Sequence, residues 1–239
     1  MSENSVLHRA NTRGSQDHGW LNVNHTFSFA NYYNPNRMHF GVLRVLNDDS
    51  IAGGKGFGTH PHDNMEIITI PLEGALAHKD NMGNGTIIRK GDIQVMSAGT
   101  GITHSEFNSN EDHAVKVLQI WLFPNKKNVT PRYDQLSLQN IKVKNEFYQI
   151  LSPNQNDQGV WIHQNSWFSM AEFDTNKEVN YRLNLTSNGI YIFVIEGQIS
   201  VGKELLEKRD GFGIWNIENI NISALKGTKI LLMEVPMSV

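Results

Sequence analysis

The sequence predicts an all-β protein of antiparallel strands in a sandwich or barrel, with two similar units in tandem, on three observations. Short apolar or alternating runs recur roughly every eight to twelve residues, for example 39–46 (HFGVLRVL), 66–72 (EIITIPL), 114–123 (AVKVLQIWLF), 190–195 (IYIFVI) and 229–235 (KILLMEV), the cadence of strands joined by turns. The chain has 20 glycines, three of them beside asparagine in Gly83-Asn84-Gly85 and Asn188-Gly189, residues that tolerate the positive φ that tight hairpins require. The third observation is an internal echo. MEIITIPLEG (65–74) leads to RKGDIQVM (89–96), and IYIFVIEGQISV (190–201) leads to KRDGFGIW (208–215). Each half has an apolar strand, a Glu-Gly corner and a basic-then-Gly turn, as a tandem repeat gives.

Taken in order, 24–33 (NHTFSFANYY) reads as a core strand with His25, Phe27 and Phe29 on one face and His25 hydrogen-bonded within it. Strands follow through residue 123. Pro124 and the polar stretch after it mark a boundary near 125–145, with short helices expected around 131–138 or 136–141. The domains are therefore set at 1–135 and 136–239.

Composition narrows the function. The formal net charge of −3 comes with no basic stripe, which argues against direct nucleic-acid binding. There are no cysteines, hence no disulfide, thiolate nucleophile or Cys-based metal site. The polar N-terminal residues lack the apolar core of a secretory signal, and the longest apolar runs are about six residues against the roughly 20 of a membrane span. A cytoplasmic location without membrane contact is expected. Walker, Gly-x-Ser-x-Gly and dinucleotide motifs are absent.

The chemistry-bearing residues lie in GKGFGTHPHDNMEIITIPLEG (54–74) and SAGTGITHSEF (97–107). His60 and His62 are two apart, so an extended strand aims both imidazoles at one side. Pro61 between them cannot donate to a ladder and places the pair on an edge strand, at a barrel mouth. His104 and Glu106 repeat the spacing. Opposed, these pairs bring three imidazoles and a carboxylate together, a donor set for Fe(II), Mn(II), Co(II), Ni(II), Cu(II) or Zn(II). Glu66 shares the parity of His60 and His62, and reads as a ligand, a partner to a ligating ring, or a charge at a strand start. His8, His18, His39, His78, His113 and His163 have no partner at ligand spacing.

These residues resemble the pirins, of the two-barrel cupin class. The resemblance is strongest over residues 14–133 and rests on HGWLNVNHTFSFANYYNP (18–35), FGTHPHDNMEIITIPLEG (57–74), DNMGN (80–84), MSAGTGITHSE (96–106) and QIWLFP (119–124). It implies two cupin (jelly-roll) barrels packed face to face, with one metal in the first, held by His60, His62, His104 and Glu106, and Fe(II) first among the candidates. Glu66 then becomes auxiliary. In the second half, Leu183, Leu185 and Gly189 stand where His60, His62 and Glu66 would repeat, so that barrel is expected to be structural. Several pirins resemble quercetin 2,3-dioxygenases. This implies a metal-dependent dioxygenase that opens flavonols with O2 and releases carbon monoxide, with Glu106 as catalytic base. The alternatives are an iron-dependent regulator that binds a protein partner, and an oxygenase with a different substrate. A monomer is expected, since the barrels cover each other.

Overall fold

The computed structural model describes residues 4–239. The first half contributes β1 (Ser5–His8), β2 (Gly14–Asp17), β3 (Leu21–His25), β4 (Leu43–Ile51), β5 (Gly56–His62), β6 (Glu66–Glu73), β7 (Ala75–Asp80), β8 (Gly85–Arg89), β9 (Asp92–Ser97), β10 (Ile102–Asn108), β11 (Val115–Leu122) and β12 (Arg132–Ser137). The second contributes β13 (Tyr148–Ser152), β14 (Val160–Trp161), β15 (Trp167–Glu172), β16 (Lys177–Arg182), β17 (Asn188–Glu196), β18 (Gln198–Val201), β19 (Glu204–Glu207), β20 (Gly211–Trp215), β21 (Asn219–Ala224) and β22 (Lys229–Pro236). No helix among the described residues is long and apolar enough to cross a membrane.

Each barrel pairs a seven-stranded sheet with a four-stranded one. The first has β12-β9-β6-β11-β4-β3-β2 against β5-β10-β7-β8, and the second has β1-β20-β17-β22-β15-β13-β14 against β16-β21-β18-β19. The two large sheets meet face to face. Ile68, Ile70, Val95, Leu118 and Ile120 from the first join Ile150, Phe168, Tyr191, Phe193, Leu231 and Met233 from the second in one buried cluster. Period-two alternation explains what lies behind each face. In the second barrel the other parity is also apolar, and Ile190, Ile192, Val194, Ile222 and Leu232 fill the interior. In the first it is polar at Asn47, Asp49, Thr69, Gln94 and Gln119, all buried. The first barrel is hollow where the second is packed.

The tandem echo is real and shifted at one turn. Gly74 and Gly197 both hold a positive φ, 73° and 79°. At the later turn Gly91 (φ 93°) is matched by Arg209 (φ 70°), not by Gly211. Two further expectations are corrected. Residues 132–137 form a strand against β9, because their alternating side chains suit a sheet edge, and only Leu138–Asn140 makes a 3-10 turn. The 24–33 strand stops at His25: Phe27 leaves for the inter-barrel cluster, while Phe29 packs against Trp121 at 5.1 Å. His25 is hydrogen-bonded as expected, its Nδ1 lying 2.9 Å from Asn47 Oδ1. β1 pairs with β20 of the second barrel, and β12 pairs with β9 of the first over residues 132–137.

That exchange buries His8 between the barrels, with Nδ1 2.8 Å from the Tyr191 hydroxyl and the ring edge-on to Phe27 at 5.7 Å. Burial, and secondarily the charge of Arg37, lowers its pKa from 6.5 to about 4. The unfolded chain takes up this proton below pH 6.5, whereas the folded protein resists until about pH 4. The stabilisation is therefore complete above pH 6.5 and drains away as pH falls toward 4, by on the order of 3 kcal/mol. Urea midpoints at pH 7.0 and 4.5 are expected to differ less in His8→Gln than in the wild type.

Candidate metal centre

The edge strand β5 and its neighbour β10 position the site. They pair antiparallel, with His60 opposite His104 and Ile102 opposite His62, and a bulge between His104 and Glu106. The bulge sets Glu106 opposite Phe57 and lets the backbones close in. A Cβ on Gly56 would lie 2.2 Å from the Glu106 carbonyl oxygen, so a side chain there would drive the strands apart.

Ligand-capable nitrogens of His60, His62 and His104 lie within 4.8 Å of one another, as do donor atoms of His78, His104 and Glu106. His104 belongs to both groups. Its ring centre is 4.4 Å from that of His60 and 4.9 Å from that of His62. Burial and the neighbouring imidazoles lower His104 to about 3, and burial followed by His60 lowers His62 to about 4. Both rings are neutral at pH 7, the state that coordinates metal. Glu106 behaves in the opposite sense. Complete burial raises its carboxyl from 4.5 to about 7, partly offset by hydrogen bonds that Gln119 Nε2 (2.7 Å) and Thr69 Oγ1 (3.5 Å) donate.

Hydrogen bonds set the tautomers. The Gly58 carbonyl accepts from His60 Nδ1 at 2.8 Å, leaving His60 Nε2 with its lone pair. His78 Nε2 lies 3.4 Å from the Asp80 carboxylate, and His78 Nδ1 lies 3.5 Å from His104 Nδ1. The carboxylate fixes the proton on His78 Nε2, so His78 Nδ1 accepts and His104 Nδ1 donates. His104 Nε2 is then an unprotonated nitrogen, buried and without a hydrogen-bond partner. An orphaned lone pair among neutral imidazoles fits a divalent cation. Replacing His78 by Phe removes the acceptor that orients His104, and is expected to weaken divalent-metal binding roughly 10–100-fold in chelator competition.

His78 escaped sequence reasoning because its partner is 26 residues away on another strand. Its alternation with Asp80 on β7 was the available signal. Glu66 departs from the parity expectation. Asn64, at φ 44°, turns the chain between β5 and β6 and resets the alternation. Glu66 therefore faces the second barrel, and Ser97 Oγ, its neighbour on β9, donates to it at 2.7 Å. Burial raises it to about 7, against the Ser97 bond, a His163 backbone bond and the charge of Arg132.

The rings open into a cavity of about 220 Å³, walled by Phe29, Phe57, Ile67 and Trp121, with Asn47, Asp49, Glu106 and Gln119 as its other polar groups. Apolar walls with a few convergent polar groups suit a small organic ligand. Trp121 stands edge-on to His62 at 4.9 Å, so a flat ligand on these rings would also touch the histidines.

Comparison with known proteins agrees with this geometry. Residues 6–122 match the profile described as Pirin, and 149–235 match the quercetinase C-terminal cupin domain. A protein of Escherichia coli K12 named quercetin 2,3-dioxygenase is 39% identical over 96% of this chain and 98% of its own length. A pirin-like protein of Caulobacter vibrioides is 37% identical over 92% of this chain and 95% of its own. The crystal structure of the bacterial pirin YhhW of Escherichia coli in complex with nickel(II) superposes with a TM-score of 0.92, at 38% identity, covering 98% of this chain and all of that one. With likeness of this degree along both barrels, the chain belongs to the pirin family of two-domain cupin proteins.

Proposed function

We propose that the protein is a metal-dependent dioxygenase that opens flavonols such as quercetin with O2 and releases carbon monoxide. One divalent transition metal, Fe(II) first, is held by His60, His62, His104 and Glu106. The observation that carries this reading is the orphaned His104 Nε2 among neutral imidazoles, at an aromatic-walled cavity that also receives a buried carboxyl. The name of the Escherichia coli relative supports the substrate class, and the nickel(II) complex of the structural relative supports a divalent metal.

When bound, the cation supplies positive charge that favours the ionised form of a hydroxyl beside it. The chain's own residues do the rest. Phe29, Phe57 and Trp121 take the flat rings and displace water. Glu106 accepts the proton of the hydroxyl on the heterocycle, while Gln119 and Thr69 keep its oxygens from turning away.

The test is quercetin-dependent oxygen uptake by anaerobically Fe(II)-loaded protein, with bound metal counted, beside the same protein stripped by chelator. Uptake with stoichiometric carbon monoxide, present when loaded and absent when stripped, is the expected result. One metal per chain with negligible uptake sinks the flavonol reading and leaves the site in place.

A further inference from the structure

The metal-facing residues do not account for the whole cavity. β4 sends Asn47 and Asp49 into it, on the face that alternates away from Asp48. Asp48 is the carboxylate with cations, Arg13 at 3.2 Å and Arg209 at 3.3 Å. Asp49 has no such return. It is 5% exposed, and its Oδ1 is sealed from solvent without a hydrogen-bond partner. A buried, unpartnered carboxyl oxygen costs stability, and here it lines a ligand-sized space. Asn47 is primed beside it. The His25 ring occupies the Asn47 carboxamide oxygen at 2.9 Å, so the NH2 group is what Asn47 has left to offer. One residue presents an acceptor and the other a donor, two positions apart on one strand face, about 7 Å between Cα atoms. A group that satisfies both at once is a hydroxyl, donating its proton to Asp49 and accepting from Asn47.

We propose that Asn47 and Asp49 form a second anchoring point, which takes a phenolic hydroxyl of the ligand remote from the oxygen received by His60, His62, His104 and Glu106. The proposal rests on the flavonol reading and adds a specificity rule to it: the ligand carries hydroxyls at two separated places on a flat aromatic frame. Asp49 and Asn47 are positioning groups, and neither takes part in bond breaking.

The test is anaerobic equilibrium binding to metal-loaded protein, read by quenching of tryptophan fluorescence, with two probes. Quercetin carries hydroxyls on all its rings. 3-Hydroxyflavone carries only the one on the heterocycle. Wild-type protein is expected to bind quercetin at least about 10-fold more tightly, the scale of one hydrogen bond to a buried charged or acidic group. Asp49→Leu is expected to remove that advantage and leave 3-hydroxyflavone within about threefold, while Asp49→Asn, which keeps shape and an acceptor oxygen, retains most of it. Equal weakening of both probes in Asp49→Leu means a structural role and overturns the proposal. So does wild-type protein that binds quercetin no better than 3-hydroxyflavone, a comparison that needs no variant. Wild-type protein that binds neither probe overturns the flavonol reading together with this one, whereas binding of 3-hydroxyflavone without the hydroxyl advantage overturns this one alone.

Discussion

A Glu106→Gln protein is expected to keep its fold and turn over flavonol roughly 10²–10⁴-fold more slowly, the usual contribution of a positioned acid or base. The substitution is nearly isosteric. Its amide oxygen can accept from Gln119 Nε2, which now bonds Glu106 at 2.7 Å, and its NH2 can donate to the Thr69 hydroxyl. Burial of the site is preserved, so a loss of rate reads the loss of the basic oxygen rather than a disturbed barrel. Bound metal must be counted in the same samples, because Glu106 also stands in the proposed ligand set. A variant with full metal and turnover within threefold of wild type removes Glu106 as the base. A variant lacking metal assigns the loss to coordination.

The largest effect on stability is expected at Glu234, far from this chemistry. It lies on β22 with no exposed surface. Its carboxylate accepts from the Tyr181 hydroxyl at 2.9 Å, the Asn184 and Leu185 amides at 2.9 Å each, the Asn184 side chain at 2.9 Å and the Asn188 side chain at 3.0 Å. One side chain thereby pins the segment from β16 to β17. Glu234→Ala leaves several buried donors unpaired, each costing roughly 1–3 kcal/mol before relaxation. The net loss is expected at about 3–5 kcal/mol, or roughly 10 °C in Tm for a chain of this size. Differential scanning calorimetry checks it, with Glu234→Gln as the milder control. Equal melting temperatures for wild type and Glu234→Ala would show that water replaces these bonds without loss.

Much of this was legible along the chain, for reasons that name its limits. The pairs His60–His62 and His104–Glu106 could be picked out because alternation on one strand is local, and Pro61 marked the edge strand that β5 turned out to be. The Glu73–Gly74 and Glu196–Gly197 corners were readable because positive φ restricts residue choice. Alternation misled wherever a turn reset it, as Asn64 did for Glu66. Spacing offered only the alternation of His78 with Asp80 and nothing for Asp49, since the neighbours of each are brought beside it by sheet pairing. The polar interior of the first barrel lay in plain view in Asn47, Asp49, Thr69 and Gln119, yet only the pairing of β4, β6 and β11 gathers those residues around one space.

The crossing of β1 into the second barrel orders events in time. Ser5 must pair with Ile214, a residue synthesised some 209 positions later, so at about 5–20 residues per second the strand waits roughly 10–40 s on a ribosome for its partner. The first barrel can close around its site in that interval, while the second cannot complete its large sheet until the early strand is delivered. Dividing the gene between the barrels therefore does not yield two finished parts. One product carries a strand with nowhere to dock, and the other an open β20 edge of the kind that pairs with strangers.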